Sequence, residues 1–304
     1  MRLLILTQKV DRQDSVLGFF HKWLEEFAER FERLTVICLE KGSFSLPENV
    51  KVLSLGKEDD AMIYHSVILK KFLYIIRFHK YIWQERENYD AVFVHMNQEY
   101  VILAGDLWRL LGKKIYLWRN HKEGNFLTRY AVWLSDKVFY TSSSSFTAKF
   151  KKAVKMPVGV DTNFFKPDPS VERIPNSILF LGRISPVKKV LEFVEWFETL
   201  DQKFTATVAG EALPRDRAYE ELVKKKASPR IKFIGPVTQE EALKLYQTHE
   251  IYVNKTPAGS FDKTIVEAAA CGMKLMVDNP DAKDLNPEEH SLNKLMEKLT
   301  LELS

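Results

Sequence analysis

Short apolar runs alternate with segments of helical period along the whole chain. Strands are predicted at Arg2–Leu6, Leu34–Cys38, Val50–Ser54, Ala91–His95, Lys114–Trp118 and Lys137–Thr141, and helices at Leu17–Phe31, Met62–Arg86 and Glu99–Leu111. After Pro157–Ser177, rich in Pro, Asn, Asp and Gly, the pattern restarts. Strands then fall at Ser177–Leu181, Phe204–Val208, Ile231–Ile234, Ile251–Asn254 and Lys274–Val277, and helices at Pro186–Leu200, Arg217–Lys226, Gln239–Gln247 and Asp262–Cys271, with a last helix near His290–Leu301. Strands with helices between several of them imply an α/β protein with parallel sheets covered on both faces. Two such runs predict two Rossmann-like domains, residues 1–157 and 177–304, joined by a linker over 158–176. Ligands of such sheets bind outside the carboxyl ends of the strands, so the loops there are where chemistry is sought.

A length of 304 residues suffices for two cores. With 45% apolar and 28% charged residues the composition is globular, and no apolar run approaches the roughly 18 residues of a membrane span. Met1–Leu6 is followed at once by Thr7, Gln8 and Lys9, which reads as a first strand and not as a secretory leader, so a cytoplasmic location is expected. Cys38 lies in an apolar run and Cys271 at a helix end. Both read as small buried hydrophobes, so no disulfide, metal site or cofactor is expected.

The formal charge of +4 is mild but unevenly spread. Lys70, Lys71, Arg77, Lys80 and Arg86 alternate with Phe72, Tyr74, Phe78, Tyr81 and Trp83 across Met62–Arg86. Such a helix either lies on an anionic membrane surface or packs its aromatics into the core with the lysines solvated, and the second reading is favoured. No nucleic-acid-binding motif accompanies the charge, so nucleic acid is not an expected partner.

Two loops of the second half are candidates for anion binding. In Phe180–Lys189 a strand ends in Gly182-Arg183 and a helix follows, with Ser185 as cap and Pro186 in its first position, leaving Arg183 and Lys188 beside a helix start. In Gly259–Gly272, Ser260 or Asp262 can cap a short helix that Gly272 can end. On a helical wheel Glu267 lies roughly 160–200° from Ile265, off the side packed on the sheet and within reach of a ligand at the helix start. Surface positions without ligands are the alternative for all of these side chains. In the first half His95 ends one strand and His121 follows another, each either near a ligand or a loop histidine satisfied by its neighbours. Gly18 opens a helix, either to admit a ligand close to the backbone or merely as a helix-start glycine.

These stretches resemble the retaining GT-B glycosyltransferases of glycosyltransferase family 4. Phe180–Lys188 is similar to their V-G-R-x-x-x-x-K loop, Val158–Pro167 to their N-G-V-D-x-x-x-F-x-P linker, and Val208–Glu211 to their V-G-[DE]-G turn. Ile231–Gly235 is similar to their F-x-G strand end, and Gly259–Glu267 to their E-x7-E motif. The resemblance implies two facing Rossmann-like domains and metal-independent transfer of a sugar from a nucleoside diphosphate sugar to a hydroxyl on a glycan or lipid-linked acceptor, with retention, as in polysaccharide synthesis. Carried over residue by residue, it implies that Arg183 and Lys188 bind the donor diphosphate and that Glu267 accepts from the ribose hydroxyls. The amides around Phe261, Asp262, Lys263 and Thr264 would hold phosphate and sugar, with Gly182, Glu211, Gly259 and Ser260 completing the donor side. A histidine near the donor sugar is implied too, with His121 the preferred match. His95 and Gly18 fall on the acceptor side.

The chain departs from the pattern at Gly259, where the leading glutamate of E-x7-E is replaced, and at Asp262, where the pattern has glycine. Asp262 is the candidate for a replacement carboxylate on the sugar. The chain also stops soon after Glu267, where family members continue through elements that pack back on the first domain. A shortened member that binds nucleotide sugar or a partner without catalysis is therefore the alternative function, and a sugar-nucleotide epimerase of related fold a weaker one.

Overall fold

The computed structural model describes residues 1–59, 67–259 and 261–303. The chain divides into two compact units, Met1–Tyr140 with Ser145–Met156 and Met296–Ser304, and Thr141–Ser144 with Pro157–Leu295. The division is therefore not a single cut: the end of the chain returns to the first unit.

The first unit is a parallel sheet of β1 (Arg2–Val10), β2 (Arg33–Lys41), β3 (Val50–Ser54), β4 (Ala91–His95), β5 (Lys114–Trp118), β6 (Lys137–Tyr140) and β7 (Ala153–Lys155), in the order β3-β2-β1-β4-β5-β6-β7. Leu3–Leu6 pair with Leu34–Ile37 on one side and Ala91–Val94 on the other, and every one of these β1 residues is fully buried. That burial on both faces is why the run reads as continuously apolar. The helices are α1 (Phe19–Arg30), α2 (Val67–Glu85), α3 (Gln98–Leu110) and α4 (Phe126–Leu134). Phe78 and Ile82 of α2, Val101, Ala104 and Trp108 of α3, and Ala131 and Leu134 of α4 form one core with Leu4, Leu6, Val92, Val94 and Leu117. Residues 62–66 of the predicted helix Met62–Arg86 lie outside the described residues.

The second unit holds β8 (Ile174–Leu181), β9 (Thr205–Ala209), β10 (Ile231–Gly235), β11 (His249–Asn254) and β12 (Lys274–Val277), parallel and in the order β10-β9-β8-β11-β12. Its helices are α5 (Val190–Phe197), α6 (Arg217–Lys226), α7 (Gln239–Thr248) and α8 (Lys263–Ala270). The pleat sends Ile178 and Phe180 to one core, with Val190, Phe193 and Val223, and Leu179 to another, with Tyr246, Ile265 and Val266. Cys38 and Cys271 are free and buried, and loss of hydration pushes both thiols up to about 12.

The last helix, α9 (Leu292–Leu303), lies where the sequence places a final helix near His290–Leu301. Its final turns belong to the first unit, where Tyr116 donates its hydroxyl to the Leu303 carbonyl at 3.2 Å and Lys137 pairs with Glu302 at 3.0 Å.

Each sheet reverses direction once. In the first unit the chain runs from β1 outward to β3 and returns to β4. In the second it runs from β8 outward to β10 and returns to β11. A crevice therefore opens at the carboxyl ends of β1 and β4, and another at those of β8 and β11, where the loops diverge to opposite faces.

Candidate functional site at the strand ends

At the second unit's crevice, backbone hydrogen bonds tie the strand ends together. The Gly182 N–H donates to Ala209 O at 3.0 Å, Gly210 N–H to Gly235 O at 2.7 Å, and Ile184 N–H to Glu211 O at 3.0 Å. Gly210 has φ +133°, and a Cβ there would run into the Gly182 carbonyl. Only glycine fits a loop packed this closely. Glu211 contributes its backbone carbonyl while its side chain is exposed. Arg183 projects into solvent and makes no hydrogen bond or ion pair with a described residue.

The predicted helix Pro186–Leu200 is broken. Pro186–Lys188 is a 3-10 turn in which Ser185 holds the cap position without a side-chain bond, and Lys189 is left-handed at φ 52°, ψ 43°. A left-handed residue interrupts the helical ladder, so α5 starts only at Val190. The turn leaves Lys188 pointing across the crevice, where its ammonium lies 2.5 Å from Asp262 Oδ2 at the start of α8. The same oxygen accepts from Thr256 Oγ1 at 2.8 Å and from Asn254 Nδ2 at 3.2 Å. Burial alone would raise the Asp262 pKa, but the Lys188 charge and these hydrogen bonds hold it below the usual carboxylate range. Asp262 stands at the cap position of α8 but, contrary to expectation, its side chain makes no capping bond. Asn254 and Thr256 were not singled out from sequence. Their signal was positional: polar residues at the carboxyl end of a strand.

Glu267 corrects the helical-wheel reading. It is 8% exposed, and its Oε2 accepts the Tyr246 hydroxyl of α7 at 2.8 Å. The wheel located the sheet side of α8, but α7 covers the neighbouring side. Burial raises the Glu267 pKa, and loss of hydration lowers that of Lys263 to about 7. Lys263 turns away from the helix start and donates to the carbonyls of Val158 at 2.9 Å and Gly159 at 2.6 Å. Phe261 is buried edge-on to His290, ring centroids 5.1 Å apart. His290 in turn accepts from the Gly159 and Val160 amides through its carbonyl. Thr264 Oγ1 accepts from Tyr252 at 2.7 Å. Gly259 is buried with φ +117°, and Ser260 lies outside the described residues.

In the first unit, His95 lies across the crevice from β1, with Nδ1 3.4 Å from Thr7 Oγ1. It is 3% exposed, stacked on Phe20 at 4.2 Å and flanked by Phe19, Trp23 and Trp118. His121 is exposed, with its Nδ1 3.0 Å from the Glu123 amide and 3.2 Å from the Glu123 carbonyl. Gly18 does admit a close approach, but of the chain itself: a Cβ there would meet the Asp14 carbonyl at 2.6 Å.

The aromatics of α2 divide. Phe78 is buried and Tyr74 and Tyr81 pack against the core, whereas Phe72 (58%) and Trp83 (54%) stand in solvent beside exposed Ile68 and Ile76. Arg77 holds the Leu55 carbonyl, and Arg86 lies over the Trp83 ring at 4.5 Å. Among the described residues, no helix is long and apolar enough to cross a membrane and no group of three or more His, Cys, Asp or Glu could hold a metal ion.

Residues 175–286 match the family model described as Glycosyl transferases group 1. No curated protein matches the chain in sequence. Among solved structures, HepE from Anabaena in complex with UDP and glucose superposes with a TM-score of 0.71 at 18% identity, over 94% of this chain and 83% of that one. Sucrose-phosphate synthase from Thermosynechococcus elongatus gives 0.70 at 13% identity, over 100% of this chain and 90% of that one. A glycosyltransferase from Rickettsia africae gives 0.69 at 15% identity, over 99% and 98%. The fold shared with them, two Rossmann-like parallel sheets, is GT-B.

Proposed function

We propose that the protein transfers a sugar from a nucleoside diphosphate sugar to a hydroxyl acceptor, with retention and without a metal, because residues 175–286 match the glycosyl transferases group 1 model and the chain carries the GT-B fold. The observation that carries this reading is the reversal of the second sheet between β8 and β11, where the loop bearing Arg183 and Lys188 meets the start of α8. Dinucleotides and nucleotides favour such a crevice. Arg183, exposed beside it, is the cation available to the donor diphosphate. The first-turn amides of α8 add donors that no helix can satisfy internally. Tyr246 engages Oε2 of Glu267 and leaves Oε1 to the ribose hydroxyls.

Glycosyl transfer requires stabilisation of a departing diphosphate, and one preorganised donor aimed at such charge contributes about 3–4 kcal/mol. Arg183 takes that role. The acceptor attacks on the face the diphosphate leaves, and a donor phosphate oxygen assists loss of its proton, so no carboxylate acts as nucleophile as it would in a retaining hydrolase. Residues 177–295 form the nucleotide side, 158–176 the linker, and 1–157 with the returning 296–304 the acceptor side, with exposed His121 toward the donor sugar and His95 and Gly18 shaping the acceptor crevice. The acceptor is a glycan or a lipid-linked glycan, and the α2 face bearing Ile68, Phe72, Ile76 and Trp83 beside Lys70, Lys71 and Lys80 rests on the anionic inner surface of a membrane.

The sequestration of Lys188 by Asp262 favours a second reading, a nucleotide-sugar binder without turnover. Calorimetry with UDP, GDP and ADP, followed by hydrolysis and transfer assays with the matching donors, separates the two. HepE holds UDP, so UDP-linked sugars come first. Binding and turnover are expected in the wild type and lost in Arg183→Ala and Glu267→Ala. Binding without turnover supports the second reading, and absence of any Arg183-dependent diphosphate binding rejects both.

A further inference from the structure

Three donors converge on one oxygen of one carboxylate. Asp262 Oδ2 accepts from the Lys188 ammonium at 2.5 Å, the Thr256 hydroxyl at 2.8 Å and the Asn254 amide at 3.2 Å. They come from the loop after β8 and from the end of β11 and its following loop, on either side of the crevice. An ammonium, a hydroxyl and an amide meeting at one point at a helix start are the partners a phosphate oxygen would take. Here a side chain of the protein already occupies that point. The cap position leaves Asp262 free to serve the α8 amides, yet its side chain makes no such bond and turns to Lys188 instead.

We propose that Asp262 is a tethered competitor of the donor phosphate: its carboxylate neutralises Lys188 in the free protein, and a nucleoside diphosphate must displace it to reach Lys188, Thr256 and Asn254. The inference rests on the donor reading above. A diphosphate entering beside an ionised Asp262 meets a like charge in a poorly hydrated crevice, where repulsion is far stronger than in water. Protonation does not relieve it, because Lys188 keeps Asp262 ionised well below neutral pH. Diphosphate affinity is therefore restrained by a charge that leaves the nucleoside moiety untouched, and the residue at 262 sets how strongly the site discriminates among phosphorylated ligands.

The test is calorimetry on the full chain with UDP, GDP and ADP, their nucleosides, and inorganic pyrophosphate, comparing wild type with Asp262→Asn and Asp262→Gly. Near-UV circular dichroism checks that both variants are folded, and the glycine variant stands in if the asparagine one is not. At least about tenfold tighter diphosphate binding is expected from removing one like charge, with nucleoside affinity unchanged and the gain abolished by adding Lys188→Ala. If the wild type binds diphosphate through Arg183 but the Asp262 variants bind it no tighter, Asp262 positions Lys188 instead of competing, and the proposal falls while the donor reading stands. Equal tightening of nucleoside and diphosphate overturns it too. If neither wild type nor variants bind any diphosphate or pyrophosphate, the donor reading fails and this inference with it.

Discussion

Tyr246 donates its hydroxyl to the Glu267 carboxylate across 2.8 Å, and both side chains are buried in the second unit. The bond spans two helices, α7 and α8, and supplies a partner to a carboxylate that has lost most of its hydration. Tyr246→Phe removes that donor while preserving the ring's packing against Phe165 and Tyr252. A loss of about 1–3 kcal/mol is expected for leaving the group unsatisfied, read as a lower urea midpoint with an unchanged slope. Nucleotide binding should weaken with it, because Glu267 is then no longer held in one orientation.

Lys263 carries a pH dependence of defined sign. Its folded pKa is lowered to about 7 by loss of hydration, against an ordinary value of 10.5. Below 7 both folded and unfolded chains carry the proton and the penalty for confining the charge is complete. Between about 7 and 10.5 the unfolded chain binds more protons than the folded one, so this residue makes stability rise with pH. Urea midpoints across this window should climb more steeply in the wild type than in Lys263→Met, and equal slopes would show that Lys263 keeps an ordinary pKa.

Gly210 and Gly112 both have positive φ, +133° and +67°, but only Gly210 faces another backbone. Gly210→Ala should cost about 1–3 kcal/mol through strain and loosen the Gly182-Arg183 loop, whereas Gly112→Asn, with open space and a left-handed geometry that asparagine tolerates, should cost much less. Melting temperatures of the two variants test the difference.

Membrane contact through α2 is measured by sedimentation with vesicles. Binding to phosphatidylglycerol-containing vesicles at low salt is expected to exceed that to neutral ones, and to be lost in Phe72→Glu/Trp83→Glu, whose side chains are solvent-exposed at 58% and 54%. Added salt should weaken binding of the wild type, and replacing Lys70 and Lys71 by glutamate should weaken binding at low salt and abolish that salt dependence.

Much of the fold was legible because the central strands are apolar on both faces. Ala91–His95 and Lys114–Trp118 were located to the residue. The helix α4 was missed because Phe126, Leu127 and Trp133 are exposed, so no polar face marks it, although its Asn125–Thr128 capping box was there to be read. Strand β7 is only Ala153–Lys155, too short to show alternation. At the site, the loop after β8 and the start of α8 were recognised, but not what their side chains do. Lys188 finds Asp262, and Glu267 finds Tyr246, across sequence separations of 74 and 21 residues. Local periodicity carries no information on such pairings, and the left-handed Lys189 that redirects the first has no residue-type signal of its own.

The indoles around His95 give the protein an optical division of labour. Trp23 and Trp118 meet edge to face at 5.2 Å inside the first unit, close enough for their transitions to couple. The second unit has a single tryptophan, Trp196, partly buried beneath the Lys255 ammonium at 5.3 Å. Near-ultraviolet dichroism thus follows the core of the first unit, while the emission removed by Trp196→Phe isolates that of the second, so melting of each unit can be watched without attaching a label to either.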